Sequence, residues 1–397
     1  MADSVYLRHN SAMTLRGDPR LQLAGVHAKL VGWLVDAAYP LWGRHGVDAQ
    51  NGGFIEALDP SGAPLEHRRR ALVQARQAYA FAQAPRFRWQ GDALGIVSRG
   101  IDYFHQYYLR PDGLVRTLAD AGGAPLDERA LLYDQSFALL GYAAAAIALD
   151  ARVEFERRAL ELRHAIDRRL RATDDAFFSG EDHALALESN PHMHLLEACL
   201  AWAEIGGDPG WTAWVRDLVE LALWRFIRTD SGALGEAYTM EWLPAPGVAG
   251  RIIEPGHQFE WAWLLLRCKQ RHSAPLQHAA LRLISIGDEF GVRGGVAINA
   301  LLDDFSIHDP NARLWPQTER LKAALLAAAL THEPRYWSMA HSAAISLISF
   351  IETTVSGLWF DVKLPDGSFV PSPSPASSFY HLVGAIVALD TAVSRRR

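Results

Sequence analysis

The sequence predicts an all-α fold: six helical hairpins closed into two concentric rings of helices, an (α/α)6 barrel. Three observations carry this reading. Turn signals recur about every 60 residues, a period that marks a repeat architecture. Twelve helical patterns lie between those signals. The patterns alternate between amphipathic and almost wholly apolar, as outer and inner helices would.

The turn signals are Asn51-Gly52-Gly53, Pro111-Asp112-Gly113, Asp174-Asp175, Asp230-Ser231-Gly232, Arg293-Gly294-Gly295 and Ser356-Gly357. Gly and Asp supply the backbone angles of tight turns. Several signals adjoin short aromatic stretches, such as Phe177-Phe178 and Leu358-Trp359-Phe360, which read as small hairpins. The helical spans are 19–39, 66–84, 89–109, 131–150, 152–171, 191–205, 209–227, 255–272, 275–290, 312–331, 334–353 and 377–394. Pro19, Pro191, Pro255 and Pro334 stand where proline suits a first helical turn.

The fifth span places Phe155, Ala159, Leu162, Ile166 and Leu170 on one stripe, with Arg and Glu elsewhere. That is an outer helix. The fourth runs from Phe137 to Leu149 without a charge, and the eighth and tenth contain apolar runs at 261–266 and 323–330. A helix apolar on every side is buried on every side, so the even-numbered helices are internal. A linear helical solenoid is the alternative, but its usual repeat is shorter, at about 34 to 47 residues. No Pro/Gly/Ser-rich linker divides the chain. The biased stretch 368–378 reads as an ordered loop into the last helix, so residues 1–397 are expected to form one catalytic domain.

Composition narrows the function. With 49% hydrophobic residues, the 397-residue chain can bury a large core. A net charge of -6 gives no electrostatic case for nucleic acid. Cys199 and Cys268 fall within apolar helices, which argues against a disulfide framework and for a reducing compartment. The polar stretch from Met1 to Asn10 lacks the apolar core of a signal peptide, and no uninterrupted apolar run approaches the roughly 20 residues that span a bilayer. The expectation is a cytoplasmic protein without a membrane partner. A homodimer is compatible with this chain, although nothing in the sequence selects an oligomeric state.

Charges on greasy inner helices are informative, because a buried charge must be paired or functional. The exceptions are Arg76 on the second helix, Tyr133 and Asp134 on the fourth, and His192, His194 and Glu197 on the sixth. The eighth carries His257 and Glu260, the tenth Trp315 and Glu319, and the twelfth His381. Taken singly, a histidine near a helix start is more often structural than catalytic, and a tryptophan is more often core. As a set, polar residues near the starts of six apolar helices converge on one mouth of the ring. His192 and His194 with Glu197 imitate a metal cluster, but no further ligand spacing supports one. Neither a metal nor a cofactor is expected. Phosphate-loop, dinucleotide and Gly-x-Ser-x-Gly motifs are absent.

These residues resemble the N-acylglucosamine 2-epimerase superfamily, which includes cellobiose 2-epimerases, mannose isomerases and sulfoquinovose isomerases. The resemblance rests on Gly52-Gly53-Phe54, Gln74-Ala75-Arg76, Tyr133 to Phe137, Met193 to Ala198, Glu254 to Trp261, Leu314 to Glu319 and Tyr380-His381, in that order along the whole chain. It implies an (α/α)6 barrel, with His257 and His381 as the acid/base pair and Arg76 on substrate oxygens. It also implies that His194, Glu260, Trp315 and Glu319 line the sugar site or orient the histidines. The chain departs where relatives often carry an aromatic residue before Gln-Ala-Arg and it has Leu72-Val73.

The implied reaction opens the sugar ring, removes the C2 proton beside the C1 carbonyl, and returns a proton to C2 (an epimer) or to C1 (a ketose). Histidine suits both steps, with an unperturbed pKa of about 6.5. Arg76 is suited to the developing oxyanion. Glu260, one turn from His257, is expected to hold that ring's tautomer. The rival readings are an (α/α)6 glycoside hydrolase using a pair among Asp134, Glu260 and Glu319, and a non-catalytic sugar-binding barrel.

Overall fold

The computed structural model describes residues 19–65, 68–182, 187–268 and 274–394. The segment from Met1 to Asn10, Glu66, and the arginines from Arg395 to Arg397 lie outside these. Among the described residues the helices form two rings. The outer ring holds α1 (Pro19–Trp33, continued by Leu34–Ala38 and Tyr39–His45), α3 (Ala93–Tyr108) and α5 (Arg152–Leu170). It continues with α7 (Gly210–Leu221, extended by Ala222–Phe226), α9 (Ala274–Gly291) and α11 (Pro334–Ile351). The inner ring holds α2 (Ala71–Ala82), α4 (Leu132–Ala148), α6 (Ser189–Ile205), α8 (Pro255–Arg267), α10 (Leu314–Thr331) and α12 (Phe379–Ser394).

Burial follows the alternation. Residues Asp134 to Ala146 of α4 are buried without a break, whereas α5 buries the stripe of Phe155, Ala159, Leu162, Ile166 and Leu170. Each inner helix packs on its neighbours, and α12 packs on α2, which closes the ring. The closure also has a backbone seam: Ala57–Leu58 pairs antiparallel with Ser374–Pro375. The serine- and proline-rich loop before α12 is therefore ordered by the first repeat. Residues Ala376–Ser394 are long and apolar enough to cross a bilayer by length and composition, but more than half of that stretch is buried inside the protein. Its apolarity follows from its place in the inner ring.

Several boundaries depart from the sequence expectation, among them the start of the third helix, at Ala93 rather than 89, and the end of the eighth, at Arg267 rather than 272; two have a plain physical cause. The first helix runs on to His45 despite Pro40, because a wider π turn over Leu34–Ala38 precedes the proline. That turn accommodates the ring and the missing N–H that would otherwise break an α-helix. The second helix starts at Ala71 rather than 66, since Arg69–Arg70 pairs with Leu118–Ala119 instead.

A recurring clamp ties each hairpin to the segment that follows it, and in five of the six repeats that segment is an inner helix. The fourth residues of α2, α4, α8 and α10 are Gln74, Gln135, Gln258 and Gln317. Their amides bind both the N–H and the C=O of Phe54, Val115, Leu234 and Ala297, at 2.7–3.0 Å. In α6 the fourth residue is His192: Nε2 accepts from the Phe177 N–H at 3.0 Å, and Nδ1 lies 2.6 Å from the Glu188 carbonyl. Burial lowers this ring's pKa to about 4, which keeps it neutral. In the last repeat Ser374 serves, its hydroxyl binding the N–H and C=O of Trp359. Five of the clamped residues lie two places after a turn glycine (Gly52, Gly113, Gly232, Gly295 or Gly357), all with φ between 74° and 98°. The glycine reverses the chain, and the clamp then sets the register of the helix that follows.

Gln258→Ala strips partners from two buried backbone groups and should cost about 3 kcal/mol. His192→Gln, which installs the amide used elsewhere, should stay within about 1 kcal/mol of the parent. Urea unfolding of both variants measures this; equal losses would mean that the clamp has no privileged geometry.

Candidate active site

Counted from the first residue of each inner helix, the charged residues and histidines singled out above, His192 apart, fall on three levels. Third residues are Asp134, His257 and His381. Sixth residues are Arg76, His194, Glu260 and Glu319, and ninth residues include Glu197 and Lys322. Residues three apart share a helix face and step about 4.5 Å along the axis. The levels therefore descend from the mouth of the ring to a buried floor.

A cavity of about 180 Å³ lies at the mouth. Arg76, Tyr133, His194, His257, Glu260, Trp315 and His381 line it, which brings together seven of the eleven residues singled out in the sequence. Glu197 and Glu319 lie behind its wall. Asp134 does not line it: its carboxylate accepts from the Thr117 hydroxyl at 2.8 Å and ties α4 to the preceding hairpin. Burial lifts the Asp134 pKa to about 7. Asn190, Glu254, Arg313, Ser377 and Ser378 complete the wall. They sit in helix-start and loop segments with no apolar background to mark them as exceptions.

Arg76 is paired with no acid among the described residues. Its guanidinium donates to the Tyr133 hydroxyl (2.7 Å) and the Ser377 carbonyl (3.1 Å), and sits 4.0 Å from the centre of the Phe137 ring. Its Nε has no partner among the described residues. His194 stacks on Phe137 at 4.5 Å and engages Glu197 through Nδ1 at 3.2 Å. Burial holds His194 neutral, with a pKa of about 4. Glu197 also accepts from the Tyr380 hydroxyl. Although burial opposes it, the His194 bond and the Lys322 charge keep this carboxyl below its usual range.

The rings of His257 and His381 both contact Trp315, at 5.1 and 5.7 Å between centroids. Each has a carboxylate on Nδ1, leaving Nε2 for the cavity. For His381 it is Glu319 at 2.9 Å. For His257 it is Glu236 at 2.8 Å, with Glu254 at 3.7 Å. The expectation that Glu260 fixes the His257 tautomer gives way here. Glu260 lies one turn deeper, 4.0 Å from the Nδ1 of His194. Burial, and next the charge of Glu319, raise the Glu260 carboxyl well above its usual range. Glu236 was missed because it stands in a hairpin, where an acid reads as solvated.

The two histidines are driven apart electrostatically. Burial works against a charged His257, yet Glu236 and Glu254 outweigh it and push the pKa up to about 10. Burial also acts on His381, and there the cations Arg76 and Lys322 reinforce it, so this ring is held well below its ordinary value. One site thus holds an imidazolium donor and a neutral imidazole acceptor. Opposed environments of this kind assign acid and base.

Three groups bring imidazole and carboxylate atoms within 4.8 Å: His194, Glu197 and Glu260; Glu236, Glu254 and His257; Glu260, Glu319 and His381. In the first, His194 already binds Glu197. In the second, the cationic ring opposes a metal, and in the third the Lys322 ammonium stands 2.7 Å from Glu319. These donors suit proton transfer better than a divalent cation.

The double ring holds this histidine pair on the wall of one cavity. Residues 52–385 match the family model described as N-acylglucosamine 2-epimerase (GlcNAc 2-epimerase), and the chain belongs to that family. It is 45% identical over 376 residues to the "Mannose-6-phosphate isomerase" of Rhizobium meliloti (strain 1021), covering 92% of this chain and 97% of that protein. It is 23% identical to the "D-mannose isomerase" of Marinomonas mediterranea, over 84% of this chain and 90% of that one. In fold it is similar to cellobiose 2-epimerase from Bacillus thermoamylovorans B4167, with TM-score 0.83 and 16% identity over 93% and 99% of the two chains. A solved D-mannose isomerase gives TM-score 0.82 and 20% identity over 90% and 96%. The chain is an enzyme of the sugar isomerase and epimerase class.

Because the folded pKa of His257 lies above its unfolded value, the charged ring contributes stability that is full below about pH 6.5 and is lost as pH rises toward about 10. Glu236→Gln removes the largest opposing charge. The alkaline limb of kcat/KM should therefore move down by about one pH unit or more, and the melting temperature should begin to fall at lower pH. An unmoved limb would detach Glu236 from His257.

Proposed function

We propose that the chain interconverts a mannose-type aldohexose and its ketose through a single base, His381, acting on the open-chain sugar in one catalytic domain. The observation that carries this reading is the opposed charge state of two histidines sharing one cavity. His381, neutral and held at Nδ1 by Glu319, takes the C2 proton with Nε2 and returns it to C1, while the O2 hydroxyl proton passes to O1. His257, cationic and held by Glu236, donates to the ring oxygen as the sugar opens and is recharged by the proton that the anomeric hydroxyl gives up. Arg76, on the cavity wall, offsets the charge that develops on the ene-diolate oxyanion. Trp315, between the histidines' contacts, offers an aromatic face to the sugar. Tyr133, His194 and Glu260 bind hydroxyl groups, while Glu197 and Glu319 position histidines. The glycosidase reading is weaker: Glu319 is engaged by Lys322 and His381, and Asp134 by Thr117.

A free hexose fits a cavity crowded by Glu254 and Glu260. A 6-phosphorylated hexose is the second reading, favoured by the name of the 45% identical relative; Arg313 on the cavity wall is the cation it would use. We expect kcat/KM for mannose to exceed that for mannose 6-phosphate. The reverse order, abolished by Arg313→Ala, would establish the phosphorylated substrate instead.

His257→Ala and His381→Ala should each lower turnover by at least about a hundredfold while sugar binding persists. Mannose turned over in deuterated water should yield ketose labelled at C1 wherever the shuttled proton exchanges, read by NMR. Label at C2 of glucose would make the enzyme an epimerase, and a histidine variant retaining a tenth of parental turnover would remove that residue from the acid/base pair.

A further inference from the structure

Lys322 takes no part in the reaction as proposed. It lies on α10 one turn beyond Glu319, with 2% of its side chain exposed. Its ammonium is 2.7 Å from Oε2 of Glu319 and 3.7 Å from the centre of the Trp263 ring. A buried ammonium is costly unless it is paired, so its presence on the floor of a sugar site requires an explanation. The other oxygen of Glu319 is 2.9 Å from Nδ1 of His381. Ammonium, carboxylate and imidazole form a line that ends at the base.

We propose that Lys322 is a positioning residue for His381: its charge balances Glu319, so that the carboxylate orients the imidazole without drawing a proton onto it. The proposal rests on His381 being the base. The comparison with His257 supports it. There the orienting carboxylate, Glu236, is bound by the Ser189 hydroxyl and the Glu254 N–H rather than by a cation, and that ring is charged. The other groups facing His381 divide by element. Arg76 of α2 and His194 of α6 disfavour its protonation, and Glu197 of α6 favours it. On α8, Glu260 meets His381 within the cluster on the floor, and His257 meets it across Trp315. Among these groups Lys322 is the cation that touches the orienting carboxylate itself.

Lys322→Gln keeps a hydrogen-bond donor for Glu319 and removes the charge, whereas Lys322→Arg keeps the charge. In the glutamine variant the His381 titration midpoint, read by NMR of ¹⁵N-labelled imidazole, should rise by about one pH unit or more. The acid limb of kcat/KM should move with it. The arginine variant should leave both near their parental positions. The double variant Lys322→Gln, Glu319→Gln has no charge to balance and should return the midpoint and the limb toward the parent. A glutamine variant that is less stable and uniformly slower, with midpoint and limb unmoved, overturns the proposal. If that single variant does not fold, the double decides by its imidazole midpoint, read without turnover: a folded double with a parental midpoint supports charge balance, and one whose midpoint has risen by about one pH unit or more overturns it. The midpoint is measured without turnover, so it fails or holds independently of His381→Ala, which tests the base assignment itself.

Discussion

Four inner helices begin by gripping the hairpin before them, through a buried glutamine that satisfies both the N–H and the C=O of one residue. In an apolar interior those backbone groups must be paired. An amide, which donates and accepts from one end, pairs both at once. Because the grip sits at a fixed position in the helix, it also fixes rotation and depth. Third, sixth and ninth residues are then delivered to the axis of the ring, and that delivery is what makes a cavity of converging side chains out of separate repeats. His192 and Ser374 show that the requirement is for a donor and acceptor together rather than for glutamine as such.

The second organising effect is burial of charge. In a low-dielectric interior the same neighbour, a carboxylate on Nδ1, gives opposite results according to what else it touches. Glu236 and Glu254 face His257 without a lysine or arginine at hydrogen-bond distance, and the ring takes up a proton. Glu319 faces His381 with an ammonium at its other oxygen, and the ring stays neutral. Geometry alone makes the two histidines look interchangeable. The charge count around each carboxylate separates them.

Much of the fold is legible because the repeat is written in the turns. The glycines at 52, 113, 232, 295 and 357 need positive φ, and the turns they build can be read off directly. The inner helices are legible because charge is scarce in them, and the same scarcity exposes Arg76, His194, His257, Glu260, Glu319 and His381. What escapes is whatever lies on the wrong background. Glu236 stands in a polar hairpin. Lys322 follows Glu319 and Arg320 and so does not stand alone against an apolar background, although all three are buried. The continuation of α1 past Pro40 escapes because a π turn leaves no residue signature of its own.

His192 and His194 make the separation of scaffold and chemistry concrete. They are two residues apart, share a helix, and are equally candidates by residue type. Two steps of an α-helix rotate about 200°, so one ring faces the hairpin and the other faces the axis. The first spends both nitrogens on backbone groups, at Phe177 and Glu188. The second keeps one nitrogen on Glu197 and presents the other to the cavity. The fourth position of the inner helix belongs to the fold in five of the six repeats, and its relocation to Ser374 in the last leaves Leu382 at that place in α12. The third and sixth positions carry no such duty. They are free to differ between repeats, and a ring with sixfold construction can therefore hold a site with no symmetry at all.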